Sequence, residues 1–448
     1  MTSEKDLKDP YLKRIRQLKL EQLDSALASF KLLLDHKTVA NLQSCVNCGL
    51  CADSCHYYLV SKEFEAIPAY KLKLVSSVFR NFLTLSGRLA KQSKGDSAFD
   101  SQMVERWVDS LYGRCTLCGR CTLNCPIGVN VTGMIRLART ILASLDLVPP
   151  DLQSTVTTAV EKGNNMGISK EDWLSTLQWL SEELQVEVGD PEAHLPVDKP
   201  GTELLYTVNP REPKFFPLSL LSAAKIFYAA SESWTVASDY YDVTNYGLFS
   251  GDDGVAGLIS SRLRESMVRL GAKTLVLGEC GHGYNSNRWE APEWLACKDR
   301  FEVRSIIQVM ADYIRQGRIK LDRSRNQKLV TLHDPCNLVR LGGIIEEQRY
   351  ILRNAVTNFI EMSPNRQQNF CCGGGGGQLS MTRFAKRRLD AGKIKAEQIR
   401  KTGAQIVVAP CHNCIDQLSE LNREYRLGVE VKTISEIVAD VLVIEKKK

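Results

Sequence analysis

Glu203-Leu-Leu-Tyr-Thr-Val-Asn-Pro210-Arg211 returns later in the chain as Lys328-Leu-Val-Thr-Leu-His-Asp-Pro335-Cys336. Each copy is a charged residue, an apolar run of strand length, a polar residue and a proline. The correspondence continues in order. Asn245-Tyr246-Gly247 falls opposite Cys371-Cys372-Gly373, and Leu275-Val-Leu-Gly-Glu-Cys280-Gly-His-Gly283 falls opposite Ile406-Val-Val-Ala-Pro-Cys411-His-Asn-Cys414. Finally, the stretch from Glu302 to Asp312 matches the stretch from Glu430 to Asp440. Four ordered matches point to an internal repeat. Each half reads strand, helix, strand, glycine-containing loop, helix, strand, cysteine loop, helix. Short apolar strands alternating with helices predict an α/β layer around a mainly parallel sheet. In such sheets, sites form beyond the carboxyl ends of the strands, where Cys336, Cys411 and Cys414 fall.

Outside the repeat, composition narrows the field. The chain has 448 residues, 44% hydrophobic and 25% charged, enough for two or three domains with their own cores. A formal charge of +6, with acidic and basic residues interleaved, leaves no nucleic-acid footprint. No apolar stretch is long enough to cross a bilayer, and Met1-Thr-Ser-Glu-Lys-Asp6 carries no export signal, so a cytoplasmic chain is expected. Leu18, Leu23, Leu27, Phe30, Leu33 and Leu34 give residues 1–36 an amphipathic helix, expected to pack on the neighbouring domain, with a membrane surface as the alternative.

Fifteen cysteines dominate the chemistry, and thirteen fall into three sets. Cys45-x2-Cys48-x2-Cys51-x3-Cys55 and Cys115-x2-Cys118-x2-Cys121-x3-Cys125-Pro126 match the run of bacterial two-cluster ferredoxins. In that run three cysteines wrap one cube and the fourth serves the other. The rule assigns Cys45, Cys48, Cys51 and Cys125 to one cubane [4Fe-4S] cluster, and Cys115, Cys118, Cys121 and Cys55 to a second. Zinc, which takes paired CxxC motifs, fits two four-cysteine runs poorly, and a secreted disulfide framework fits neither the length nor the spacing. His56 stands where proline ordinarily follows the fourth cysteine. Residues 56–114 form an insertion, helical from Ala69 to Leu83 and from Gln102 to Leu111, expected to sit outside the clusters.

The third set is Cys336, Cys371-Cys372 before Gly373, and Cys411-x2-Cys414. Adjacent cysteines chelate one metal poorly but suit different irons of an irregular cluster. The pattern Cys-x34-Cys-Cys-Gly-x37-Cys-x2-Cys resembles the CCG-domain family. A ferredoxin part followed by this module resembles the catalytic subunit of membrane-bound heterodisulfide reductase (HdrD) and the related DsrK, TmcB and HmcF subunits of sulfate reducers and sulfur oxidisers. The resemblance implies one noncubane [4Fe-4S] cluster on these five cysteines that splits, or forms, a disulfide or trisulfide. It further implies a membrane cytochrome b-type partner at the inner face of the membrane, with a small DsrC-like sulfur carrier or a coenzyme heterodisulfide as substrate. The competing readings are an electron-transfer subunit alone, and kinship with iron-sulfur subunits of glycerol-3-phosphate or lactate oxidation, which keep both CCG halves.

In the first half-repeat, Arg211 stands for the first cysteine, Asn245-Tyr246 for the pair and Gly283 for the last, leaving Cys280. One noncubane cluster is therefore expected, not two. The repeat places Cys280 on the loop rim facing that cluster, a candidate to bind substrate, with His282 as a candidate proton source; a buried structural cysteine is the alternative. Cys297 has no motif and is expected to pack. His333 and His412 neighbour expected ligands, and either tune hydrogen bonds or serve the structure. Gly373 to Gly377 lacks the lysine of a phosphate loop and is expected to permit close backbone approach to a cluster.

The expected fold is thus α/β with an α-helical ferredoxin-like N-terminal domain and a C-terminal pseudo-twofold repeat of two α/β CCG-type units. Its expected divisions are 1–36, the N-terminal helix; 37–148, the two-cluster domain; 149–200, a helical linker; 201–326, the degenerate repeat; and 327–443, the intact one.

Overall fold

The computed structural model describes residues 9–87, 99–296 and 301–444. Cys297 and the first eight residues lie outside the described residues. The chain divides into two compact units. One comprises residues 1–154 with 247–253 and 373–394; the other comprises 155–246, 254–372 and 395–448.

The first unit is helical. Its N-terminal segment is two helices, Pro10–Arg16 and Leu20–Leu32, where the sequence suggests one. Asp9 caps the first by accepting from the N–H groups of Tyr11 and Leu12, and proline fits its first turn. The second starts afresh because the Gln22 side chain accepts the N–H of Lys19. Helices Pro68–Val78 and Ser101–Trp107 come from the insertion, and Val131–Ser144 follows the second cysteine run. The glycine run packs in this unit: Gly376, at φ +65°, puts its α-carbon where a Cβ would lie 2.6 Å from the backbone of Thr116. Only glycine tolerates that approach. The close contact of Gly376 is thus with the backbone just after Cys115.

The second unit holds two four-stranded, wholly parallel sheets. Strands β1 (Leu204–Thr207), β2 (Trp234–Val236), β3 (Thr274–Leu277) and β4 (Glu302–Ser305) run in the order β2-β1-β3-β4. Strands β5 (Leu329–Leu332), β6 (Asn358–Glu361), β7 (Ile406–Val408) and β8 (Glu430–Lys432) run in the equivalent order β6-β5-β7-β8. The central strands β1 and β7 are buried along their whole length, as strands of a parallel sheet covered on both faces are. β4 and β8 are additions to the sequence reading. Their Glu-Val-Arg and Glu-Val-Lys alternation is the mark of a half-exposed edge strand, too short to register as an apolar run.

The segment expected as a linker packs into this unit. Helix Lys170–Val188 buries Trp173, Leu177, Leu180, Leu184 and Val188 in the sheet core. Trp173 stacks on Tyr241 with ring centroids 4.1 Å apart, and its Nε1 donates to the carbonyl of Ala237.

Candidate functional site

The two four-cysteine runs fold into loops with the same backbone signature. Asn47 (φ 55°) and Gly49 (φ 79°) recur as Leu117 (φ 52°) and Gly119 (φ 77°). Left-handed residues on either side of the middle cysteine turn successive backbone N–H groups inward, the geometry of a concave anion-binding cradle. The N–H of Leu117 accordingly points at the Cys115 sulfur, 3.4 Å away. Cys55, Cys115, Cys118 and Cys121 line one small cavity, and the charge of Cys121 feels Cys118, Cys115 and Cys55. Burial pushes the Cys51 thiol up to about 11, with Cys45 and Cys48 adding to the rise. The structure thus brings Cys55 to the second run, while Cys51 sits with Cys45 and Cys48; Cys125 is half-buried at the end of its loop.

The insertion contributes to this region rather than lying outside it. The N–H of Ala69 donates to the Cys51 sulfur, and Lys71 lines the cavity of Cys55, Cys115, Cys118 and Cys121. Both belong to the first turns of one helix, which opens on Pro68. A lysine amid apolar neighbours, on the face shared with Leu74 and Val75, was the signal available in the sequence.

In the second unit, the loops after β5, β6 and β7 gather five buried thiols. Sγ of Cys336 lies 3.9 Å from that of Cys371, and Sγ of Cys372 lies 3.5 Å from that of Cys414. Cys411 completes the group: a hydrogen bond from Cys414 brings its thiol down to about 7, against the effect of burial. His333 joins Cys372 and Cys414, their ligand atoms all within 4.8 Å of one another. The donor set is soft sulfur, which suits an iron-sulfur group. It is enclosed, and a buried cation, Lys395, lies close to it. Lys395 donates to Asn369 Oδ1 at 2.6 Å, and burial brings its ammonium down to about 8 while Asp334, Cys372, Cys371 and Cys414 oppose the fall. These features fit an anionic cluster held by Cys336, Cys371, Cys372, Cys411 and Cys414.

Its scaffold is a buried ion network that sequence reading missed. Arg349 makes bidentate contacts with Asp334, at 2.8 and 2.8 Å, and with Glu361, at 2.8 and 3.0 Å. Asp334 lies two residues before Cys336, and its carbonyl accepts from Asn369, two residues before Cys371. The Asp-Pro-Cys sequence carries no charge pattern that names its partner.

In residues 201–326 the positions opposite the five cysteines are occupied by other contacts. Arg211 pairs with Asp416, Tyr246 Oη contacts Asn413 Oδ1 at 3.4 Å, and Asn245 donates to Ala256 O and Ser260 Oγ. At Gly283 a Cβ would collide with the carbonyl of Val243, so no cysteine fits there without backbone movement. Cys280 remains, 1% exposed, with its sulfur 3.3 Å from His282 Nδ1. Its loop meets the intact half: the N–H of Gly281 donates to the Cys411 sulfur. Burial pushes the Cys280 thiol well up and brings His282 down to about 3. Thiol and imidazole are therefore both neutral near pH 7.

His412 lies among buried acids. Its Nε2 is 3.0 Å from Ser219 Oγ, which donates to Glu212, while burial raises both Glu212 and Glu279, the latter to about 7. Glu279 accepts the N–H groups of Ile434 and Ser435 at the start of helix Ile434–Val441.

Among the described residues, no helix is long and apolar enough to cross a membrane. Residues 330–419 match the CCG family, a cysteine-rich domain, and residues 41–129 match a 4Fe-4S dicluster domain. The Hdr-like menaquinol oxidoreductase iron-sulfur subunit of Archaeoglobus profundus is 26% identical over 93% of this chain and 83% of its own. The second iron-sulfur subunit of the Hdr-like menaquinol oxidoreductase of Archaeoglobus fulgidus is 26% identical over 98% of this chain and 85% of its own. A component of the dihydromethanophenazine:CoB–CoM heterodisulfide reductase of Methanosarcina barkeri is 27% identical, covering 90% of this chain and 94% of its own.

Proposed function

We propose, from the premise that the chain is a CCG-domain and 4Fe-4S dicluster-domain protein related to Hdr-like iron-sulfur subunits, that it is the iron-sulfur oxidoreductase subunit of a heterodisulfide-reductase-like complex of sulfur metabolism. The observation that carries this reading is the enclosure of five thiols around one point, with Lys395 as a buried cation beside them.

In this reading, Cys45, Cys48, Cys51 and Cys125 hold one cubane and Cys115, Cys118, Cys121 and Cys55 the other. Cys336, Cys371, Cys372, Cys411 and Cys414 hold the noncubane group, which supplies single-electron steps and an iron site for sulfur. The cubanes exchange electrons with a membrane cytochrome b-type partner, so the chain works peripherally at the inner face of the membrane. The substrate is a disulfide or trisulfide, with a DsrC-type carrier protein as one form of it. The common strand order of the two sheets supports reading residues 201–326 and 327–443 as a pseudo-twofold pair.

The residues of the chain divide the remaining work. Gly281 N–H stabilises negative charge on the Cys411 sulfur, and Lys395 offsets the charge of the gathered thiolates. Arg349 locks the loops carrying Cys336 and Cys371 through Asp334. Cys280 is the candidate to hold the substrate sulfur, and His282, whose Nδ1 lies 3.3 Å from Cys280 Sγ, is the candidate to pass a proton to a cleaved substrate thiolate.

Anaerobic iron determination on the purified chain, with turnover of a disulfide by the chemically reduced protein, tests the reading. About twelve irons and cluster-dependent turnover are expected. About eight irons would remove the third centre. Twelve irons with electron relay but no disulfide turnover would favour a pure electron-transfer subunit, a reading in keeping with the burial of Cys280.

A further inference from the structure

The two cubane loops differ in the charges around them. Lys71 is 1% exposed, lines the cavity of Cys55, Cys115, Cys118 and Cys121, and donates from Nζ to the carbonyl of Arg114. Arg139 is completely buried on the Val131–Ser144 helix. Its Nη2 donates to the carbonyl of Cys115 at 2.8 Å and to Leu111 O at 2.8 Å, and its Nη1 to Phe249 O at 2.8 Å and Gly376 O at 2.9 Å. Every one of these acceptors is a neutral carbonyl. The nearby carboxylates are engaged elsewhere: Glu63 and Asp109 pair with Arg114, and Asp109 also pairs with Arg387. Each cation also meets a tyrosine ring, Lys71 at 5.8 Å from the Tyr57 centroid and Arg139 at 4.5 Å from that of Tyr112, but no carboxylate is among these partners. Such a charge is expensive to bury unless an anion balances it.

Both cations act electrostatically on Cys115. At the other loop, the leading influences on Cys51 are burial, its fellow cysteines and backbone N–H groups, with no lysine or arginine among them. Reducing a cube adds one negative charge. In a buried loop that addition is unfavourable, and a fixed cation at the cluster makes it easier.

We infer that Lys71 and Arg139 are the counter-charges of the cubane held by Cys55, Cys115, Cys118 and Cys121, and that they hold its reduction potential above the value burial alone would set. This rests on the reading that those four cysteines bind a cubane. The insertion is then a tuning element: its helix places a positive charge at one cluster and only a backbone N–H at the other.

The test is a redox titration of the anaerobic full-length protein followed by electron paramagnetic resonance, comparing wild type, Lys71→Met and Lys71→Arg. Lys71→Met is expected to shift the reduction equilibrium of one cubane at least tenfold toward the oxidised state, about 59 mV for a one-electron step. The other cubane is expected to stay fixed, and Lys71→Arg to restore the potential. An unchanged potential, an equal shift of both cubanes, or selective loss of one cubane's iron in Lys71→Met would overturn the inference. Wild-type iron too low for two cubanes would instead defeat the cluster reading beneath it.

Discussion

The carbonyl oxygen of Glu279 accepts the backbone N–H of His412 at 3.0 Å, and Nδ1 of the same histidine lies 3.2 Å from it. This contact ties the loop after β3 to the loop after β7. It sets Cys280 beside Cys411, whose sulfur accepts the N–H of Gly281.

Cys280→Ser should separate holding a cluster from using it. The hydroxyl fits the same buried space beside His282, and no expected ligand is removed. The variant is expected to keep wild-type iron content and to lose at least about tenfold in disulfide turnover, equal to about 1.4 kcal/mol of barrier. Full turnover in steady-state assays would leave Cys280 a packing residue.

Arg349→Met should damage one centre and spare the others. Asp334 is 1% exposed, and removing its guanidinium partner leaves the buried carboxylate with the Arg366 N–H at 2.6 Å but without its bidentate ion pair. Breaking such a pair costs about 3–5 kcal/mol. Thermal unfolding should begin at lower temperature, and iron should fall by about four per chain, with both cubane signals retained.

Asp242 should make stability depend on pH. Its carboxylate is buried, accepts the N–H of Asn165 at 2.8 Å and of Thr244 at 2.6 Å, and is raised by burial to about 7. The folded chain therefore binds more protons than the unfolded chain between its ordinary value of 3.8 and about 7. This group's contribution is complete below 3.8 and is lost as pH rises through about 7. Within that window the slope is about 1.4 kcal/mol per pH unit. Asp242→Asn is expected to flatten that part of a stability-against-pH curve; an unaltered slope would show that Asp242 titrates normally.

Restoring a cysteine at Gly283 should not rebuild a second noncubane site. The Cβ meets the carbonyl of Val243, and Arg211 and Tyr246 already bond to Asp416 and Asn413. Gly283→Cys is expected to lower the melting temperature and add no iron. A rise of about four irons per chain would show that the site can reopen.

The parallel strands and their order of use were legible because buried parallel strands are unbroken apolar runs, as in Leu275-Val-Leu277 and Ile406-Val-Val408. The edge strands β4 and β8 were not, since half-exposed strands alternate and these are too short for alternation to stand out. Eight candidate ligands were legible from spacing, because a loop that wraps a metal group fixes local intervals, and the other five from resemblance to the CCG pattern. The carbonyl-bound Arg139 and the Asp334–Arg349–Glu361 network were not, because their partners are distant in sequence and several are main-chain atoms.

Sequence alone determined the cysteine sets and the matching strand-and-loop segments of residues 201–326 and 327–443, all of which are local or periodic. Tertiary structure decided which charges those sets meet. The helical face of Lys71 and the loop position of Cys280 can be read from the sequence, but their burial cannot: folding buries the first at Cys115 and the second at Cys411. Burial sets the strength of an electrostatic contact, and burial belongs to the packed chain rather than to any segment of it.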